Sequence, residues 1–351
     1  LSKAIRPFFI IITVTIIGVL LLAVYLMVAG PGGNGGRYVM SEEDMPVTGE
    51  LEARLRRHVF SLADEIGERN IFARGSLQKA ASCIRSAWEE VGYDIRAQRY
   101  TLENTECENL SVEIPGGISP GEIVLVGAHY DTVLGSPGAN DNGSAVAALL
   151  EISRLFNNEP RDRTVRFVAF VNEEPPFFRT GSMGSRIYAR ACRERGEEIS
   201  AMVCLETIGY YSDKKGSQQY PLPFGFFYPD KGNFIAVVGN LKSRPLVNSF
   251  VRFFTEESDF PIESVVSFSW IPGIDWSDHG SFWAHGYPAI MITDTALYRY
   301  PYYHTPSDTP DKLDYTSLAR VTHGIYKAVE RLAEGDDARE TMDDGRWSTD
   351  D

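Results

Sequence analysis

The apolar positions of this chain change period several times, and those changes mark out its elements. Phe8–Ala29 contains no charged residue and is rich in Ile, Leu and Val. As a helix it would be about 33 Å long, enough to cross a hydrocarbon core. Lys3 and Arg6 precede it and the Gly-rich stretch Gly30–Gly36 follows. The positive-inside rule then predicts a signal anchor over residues 1–30 with a cytoplasmic N-terminus, a linker over 31–48, and everything beyond on the exocytoplasmic side. A cleaved signal peptide is the rival. Its apolar region usually runs about 7–15 residues to a small-x-small site, which Met27-Val28-Ala29 fits poorly.

From residue 49 to 334 the pattern alternates between helical and strand periods. Leu51–Arg69 and Ser76–Val91 carry apolar residues at helical spacing with charged faces, and Ser76 reads as an N-cap. Ala145–Phe156, Gly184–Arg195, Pro245–Glu257 and Tyr315–Ala333 read as further helices. Ile123–Gly127, a short fully apolar run, reads as a strand buried on both faces; Thr164–Val171 reads as another strand, Met202–Leu205 as a third buried one, and Ala289–Thr293 as a further strand. The alternation predicts an α/β domain with a mixed, largely parallel central sheet flanked by helices. Ligands of such sheets gather at the carboxyl ends of the strands. Residues 335–351 are acidic and poor in apolar side chains, so a disordered tail is expected.

Composition narrows the partners. A net charge of -14 over 351 residues argues against nucleic acid, whose phosphates require an excess of Lys and Arg. Four cysteines are too few for a disulfide scaffold, and none forms a Cys-x-x-Cys pair that would suggest a thiolate metal or redox site. Export would permit disulfides among Cys83, Cys107, Cys192 and Cys204 without fixing a pairing. Cys204, inside an apolar run, reads as a small buried hydrophobe.

Polar residues that could do chemistry fall at the ends of the apolar runs. They are His129-Tyr130-Asp131, Ala139-Asn140-Asp141-Asn142-Gly143, Asn172-Glu173-Glu174, Glu206, and Tyr303-His304-Thr305-Pro306-Ser307-Asp308. Imidazole with carboxylate is the donor set of zinc sites that keep open positions, whereas structural zinc prefers thiolate. Each cluster alone has an ordinary explanation: a hydrogen-bonded histidine, a solvated Glu-Glu pair, an Asn-Asp-Asn-Gly turn. Their order along one chain is the informative feature.

That order, His-x-Asp, Ala-Asn-Asp-Asn-Gly, Glu-Glu, Leu-Glu-x-Ile-Gly-Tyr and Tyr-His-Thr-x-x-Asp, resembles the co-catalytic dizinc aminopeptidases over Ile123 to Asp314. Glutamate carboxypeptidase and glutaminyl cyclase are relatives of that family. The resemblance implies two zinc ions bridged by Asp141, with His129 and Glu206 completing one site and Glu174 and His304 the other. It implies Asp131 behind His129, Glu173 as the general base acting on a metal-bridging water, and Tyr303 as donor to the oxyanion. The implied reaction is hydrolysis of the N-terminal peptide bond of substrates with a free N-terminus.

Two departures are visible. Glu206 stands where many members have Asp, and Pro175-Pro176-Phe177-Phe178 replaces a Gly-rich continuation, a stiff segment expected to edge the substrate cleft. His279 is read as lying outside the ligand set, with Asp278 capping a helix or bonding near the cleft. His285 and His323 are read as structural and His58 as a helix-surface residue. Trp270, Trp276 and Trp283 are either core or pocket wall. Two rival functions stay open: a single-zinc glutaminyl-peptide cyclotransferase, and a non-catalytic binding relative. The sequence leaves the oligomeric state open.

Overall fold

The computed structural model describes residues 44–336 except 74, 158 and 223. The apolar run Phe8–Ala29 and the Gly-rich stretch after it lie outside the described residues, as does the acidic tail beyond 336. Among the described residues, no helix is long and apolar enough to cross a membrane.

The strands are β1 (Arg96–Leu102), β2 (Thr105–Ile114), β3 (Ser119–His129), β4 (Arg163–Phe170), β5 (Glu198–Glu206), β6 (Ile235–Asn240), β7 (Ile262–Ser267) and β8 (Ala289–Thr293). They form one sheet in the order β1-β2-β4-β3-β5-β8-β6-β7. The central pairs β4–β3, β3–β5 and β5–β8 are parallel, as is β6–β7 at one edge. The β1–β2 hairpin, β2–β4 and β6–β8 are antiparallel. The sheet is therefore mixed, with a parallel centre, and helices cover it.

Two-residue periodicity divides the apolar side chains of the central strands between two cores. Val124, Val126 and Ala128 of β3, with Val165, Phe167 and Ala169 of β4, face one core. It is closed by α1 (Asp44–Phe60), α2 (Ser76–Val91), α3 (Ala145–Phe156), α5 (Arg244–Glu257) and α7 (Tyr315–Ala333). Leu125, Val168, Met202 and Cys204 face the other, under α4 (Gly184–Glu194) and α6 (Asp278–Ala284). Burial on both faces is why β3 and β5 carry near-continuous apolar runs, whereas β4 breaks its run at Arg166, which pairs with Glu113 and Glu197.

Several expected boundaries shift, each for a local reason. The helix expected over Leu51–Arg69 leaves α geometry at Phe60, makes one wide turn over Ser61–Ile66, and ends at Gly67, whose φ of 78° takes the left-handed turn. Arg69 is thereby released from the helix and turned inward. Ser76 is not a cap: Gly75 precedes the helix, and the Ser76 hydroxyl donates back to the Glu68 carbonyl at 2.6 Å. His58 is half-buried rather than a surface residue, with Nε2 2.8 Å from the Glu151 carboxylate. All four cysteines are free thiols, and Cys204 is buried.

Candidate metal centre

Three parallel strands deliver the first donors. His129 ends β3, Glu173 and Glu174 follow β4, and Glu206 ends β5, so all lie at one edge of the sheet. This is where an open α/β sheet leaves its crevice. Asp141 comes from the Ala139–Ser144 turn that opens α3, and His304 from the loop after β8.

Their side-chain atoms fall into two groups that share one residue. His129, Asp141 and Glu206 form the first; Asp141, Glu174 and His304 form the second. In the first, His129 Nε2 lies 3.4 Å from Asp141 Oδ1 and 3.3 Å from Glu206 Oε2. In the second, His304 Nε2 lies 3.0 Å from Asp141 Oδ2 and 3.2 Å from Glu174 Oε2. Donors about 2.0–2.1 Å from a tetrahedral ion stand roughly 3.3 Å apart, so both groups have the spacing of zinc ligands. His129 Nε2, Asp141 Oδ2, Glu174 Oε1 and His304 Nε2 are buried without a hydrogen-bond partner. Orphaned buried polar atoms are rare because leaving them unpaired costs about 1–3 kcal/mol each. The donor set fits a pair of divalent cations.

The charge state points the same way. Against burial, which lowers it, the carboxylates of Glu173 and Glu206 raise the His129 pKa well above the ordinary imidazole range. His304 is likewise raised to about 10, its burial outweighed by Asp141 and Glu174. Burial pushes Glu174 up to about 8, with Asp141 adding to the effect. Glu173 rises well above the carboxylate range through burial, reinforced by Glu174 and Glu206 and opposed by His129. Carboxylates this crowded lack cations.

A second set of residues holds the first in place. The Asp131 carboxylate accepts the backbone N–H of Glu173 and of Glu174, each at 3.1 Å, and so orients both glutamates. His129 Nδ1 lies 3.2 Å from the Asp131 carbonyl oxygen and 3.6 Å from its carboxylate. A backbone acceptor on Nδ1–H leaves the Nε2 lone pair free for a metal. Asp308 accepts from the backbone N–H of Asn140 at 2.8 Å and of Asp141 at 3.1 Å, while Tyr300 donates its hydroxyl to it at 2.7 Å. Arg69 is fully buried. Its guanidinium donates to the carbonyls of Leu62, Gly67, Tyr130, Pro137 and Gly138, clamping the loop that leads to Asp141. Gly138 is required there: at φ 62° a Cβ would meet Thr132 Cγ2 at 2.3 Å.

Asp308 lay within a motif read from the sequence, where it had no assigned role. Arg69 had no local signal, since its acceptors are backbone carbonyls gathered by the fold. Ser277 was also unmarked; its hydroxyl donates to Glu206 Oε2 at 2.6 Å. Asp278, the first residue of α6, is fully buried and outside both donor groups, and burial pushes its pKa to about 7. His279 holds the Ile274 carbonyl with Nε2 at 2.7 Å, and burial lowers its pKa to about 4, so it stays neutral.

Tyr303 lies flat on the His304 ring, centroids 3.9 Å apart, and with Glu206 it opens onto an apolar cleft. Trp276 lines that cleft. Trp283 instead donates its indole N–H to the Ala289 carbonyl, and Trp270 is exposed. Phe177 stacks on Phe72, and neither Phe177 nor Phe178 lines the cleft beside Glu206.

The model of Peptidase family M28 matches residues 109–329, and the chain belongs to that family, a family of metallo-exopeptidase hydrolases. It is 37% identical over 281 residues to the uncharacterized protein YfbL of Escherichia coli K12, covering 78% of this chain and 85% of that one. It is 41% identical over 240 residues to the aminopeptidase YwaD of Bacillus subtilis, covering 65% of this chain and 46% of the relative. The chain thus spans most of YfbL and about half the length of YwaD. Among solved structures, the zinc aminopeptidase BSAP of Bacillus subtilis superposes with a TM-score of 0.65 at 17% identity, over 81% of this chain and 95% of that one. The glutaminyl cyclase of Fimbriiglobus ruber superposes with a TM-score of 0.59 at 19% identity, over 80% and 94%. At these identities the likeness is one of fold.

Proposed function

We propose that this chain is a two-zinc aminopeptidase that hydrolyses the N-terminal peptide bond of peptides. The observation that carries the reading is Asp141, whose two carboxylate oxygens face two separate histidine–carboxylate groups. His129, Asp141 and Glu206 would hold one ion, and Asp141, Glu174 and His304 the other. When bound, paired zinc ions polarise the scissile carbonyl and acidify water. Glu173 stands 3.8 Å from His129 Nε2 and belongs to neither donor group, so its carboxylate remains available as a base. It takes a proton from the attacking water and delivers it to the leaving amine. The Tyr303 phenol, beside His304 at the cleft mouth, donates to the oxyanion of the tetrahedral intermediate. The uncharged run Phe8–Ala29, with Lys3 and Arg6 ahead of it, supports a membrane anchor that places this chemistry on the exocytoplasmic side.

Metal analysis of the purified chain should give two zinc ions per molecule. The loaded enzyme should cleave aminoacyl 4-nitroanilides and spare their N-acetylated forms. Saturation at a single tight zinc would point to the cyclotransferase chemistry of the fold's single-zinc members, and equal cleavage of acetylated substrates would remove the aminopeptidase reading.

A further inference from the structure

The cleft beside Glu206 has an unusual floor. Glu206 of β5 pairs with Thr293 of β8, Thr293 with Ala236 of β6, and Ala236 with Glu263 of β7. Directly opposed residues point to the same face of a sheet, so these four form one row across four strands. The neighbouring row on that face, Met291, Val238 and Val265, is wholly apolar. Members of both rows line the cleft, which is open to solvent. With neighbouring strands about 4.8 Å apart, the row runs roughly 14 Å from the metal centre to the sheet edge. It starts and ends on a carboxylate.

The Glu263 carboxylate is singular. Among the described residues it takes part in no hydrogen bond or ion pair. Burial is the one cause that shifts its pKa, and it shifts it upward, so no cation acts on the group. Tyr220 and Tyr228, the two phenols its charge acts on, are engaged elsewhere. Tyr228 donates its hydroxyl to the Ser264 carbonyl at 2.7 Å, and Tyr220 to the Pro229 carbonyl at 2.7 Å. Those two rings stack on each other, centroids 5.7 Å apart, as part of the cleft wall. A half-buried carboxylate without a partner destabilises the fold, and a ligand cation would relieve the penalty.

We propose that Glu263 selects substrates whose N-terminal residue carries a long cationic side chain, arginine or lysine. The proposal rests on the aminopeptidase reading, which puts the first Cα of the substrate beside Glu206 and Tyr303. From a Cα standing over Thr293, one strand in from Glu206, about 9–10 Å of the row remains. An extended lysine or arginine side chain covers about 6–7 Å of it along Ala236, Met291 and Val238, and an ion-pair contact of about 3 Å to Glu263 closes the rest. Short or branched apolar side chains fill only the near half of the cleft. The tyrosine wall suits a guanidinium, which stacks on aromatic faces.

The test is a kcat/KM series on the zinc-loaded full chain with arginyl, lysyl, leucyl and glutamyl 4-nitroanilides. Wild type should favour arginyl and lysyl over leucyl. Glu263→Gln should lower the arginyl-to-leucyl ratio about 10–100-fold, the worth of a charge-paired contact. Glu263→Lys should raise glutamyl above arginyl. Wild type that favours leucyl, or a ratio that Glu263→Gln leaves unmoved, overturns the proposal while leaving the aminopeptidase reading intact. A zinc-loaded wild type that hydrolyses none of the four overturns that reading and this proposal with it.

Discussion

Glu173 and Glu174 are chain neighbours with different surroundings. Asp131 pins both backbone amides, so their side chains diverge, Glu174 to 3.2 Å from His304 Nε2 and Glu173 to 3.8 Å from His129 Nε2. Glu173→Gln keeps the shape and removes the basic oxygen. Zinc content should stay at the wild-type level while kcat falls by about 10²–10⁴-fold, the range of a positioned general base. Glu174→Gln replaces a donor of the second group, so zinc content and activity should fall together. Metal analysis and steady-state kinetics on the same preparations decide it: equal zinc loss in both variants would sink the division of roles. At this scale the sequence was most informative where strands end. His129, Glu173, Glu174 and Glu206 stand beside apolar runs that announce a strand, and a polar residue at such a boundary faces the crevice. Arg69 could not be found that way, because its five carbonyl partners come from separate stretches that meet only after folding.

Among the elements, α1 and α3 are joined through Glu151, whose carboxylate is almost fully buried. Arg54 Nε lies 2.9 Å from it, His58 Nε2 2.8 Å and Arg154 Nε 2.7 Å. Burial pushes the Glu151 pKa up, but the His58, Arg154 and Arg54 hydrogen bonds win and hold it near 2. A depressed carboxylate adds stability above its unfolded pKa of about 4.5, and that stability drains away as pH falls toward 2. Glu151→Gln should therefore cost about 2–3 kcal/mol at pH 7. In urea titrations its midpoint should approach that of wild type as the pH is lowered through 4; a gap independent of pH would show that packing, not charge, sets the loss. The elements that escaped the sequence reading were the ones at the sheet edges. β1 exposes Arg96, Arg99 and Thr101, and β7 interleaves Glu263 and Ser264 with valines, so neither forms the apolar run that a doubly covered strand does. β6, though apolar, is brief and follows a Gly- and Pro-rich loop.

For the whole molecule, layer architecture was readable because alternating helices and strands admit few arrangements. The antiparallel pairings β1–β2, β2–β4 and β6–β8 were not, since they depend on the unrecognised strands. The proposed anchor is a statement at this scale too. Protein extracted from membranes should retain residues 1–30 and release an active soluble part when cut within Gly30–Gly36. A mature N-terminus near Gly30 would favour a cleaved signal peptide instead.

The bond from Asp308 to the amides of Asn140 and Asp141 joins positions 168 and 167 residues apart. For a nascent chain this sets a timetable. Synthesis proceeds at about 5–20 residues per second, so roughly ten to thirty seconds separate the appearance of Asp141 from that of the group that orients it. During that interval the turn that carries Asp141 lacks its outer brace, and His304 has yet to emerge. The second donor group is thereby completed only after the last third of the chain has emerged, whereas every member of the first, His129, Asp141 and Glu206, has been synthesised well before, so the two halves of the centre come together in order.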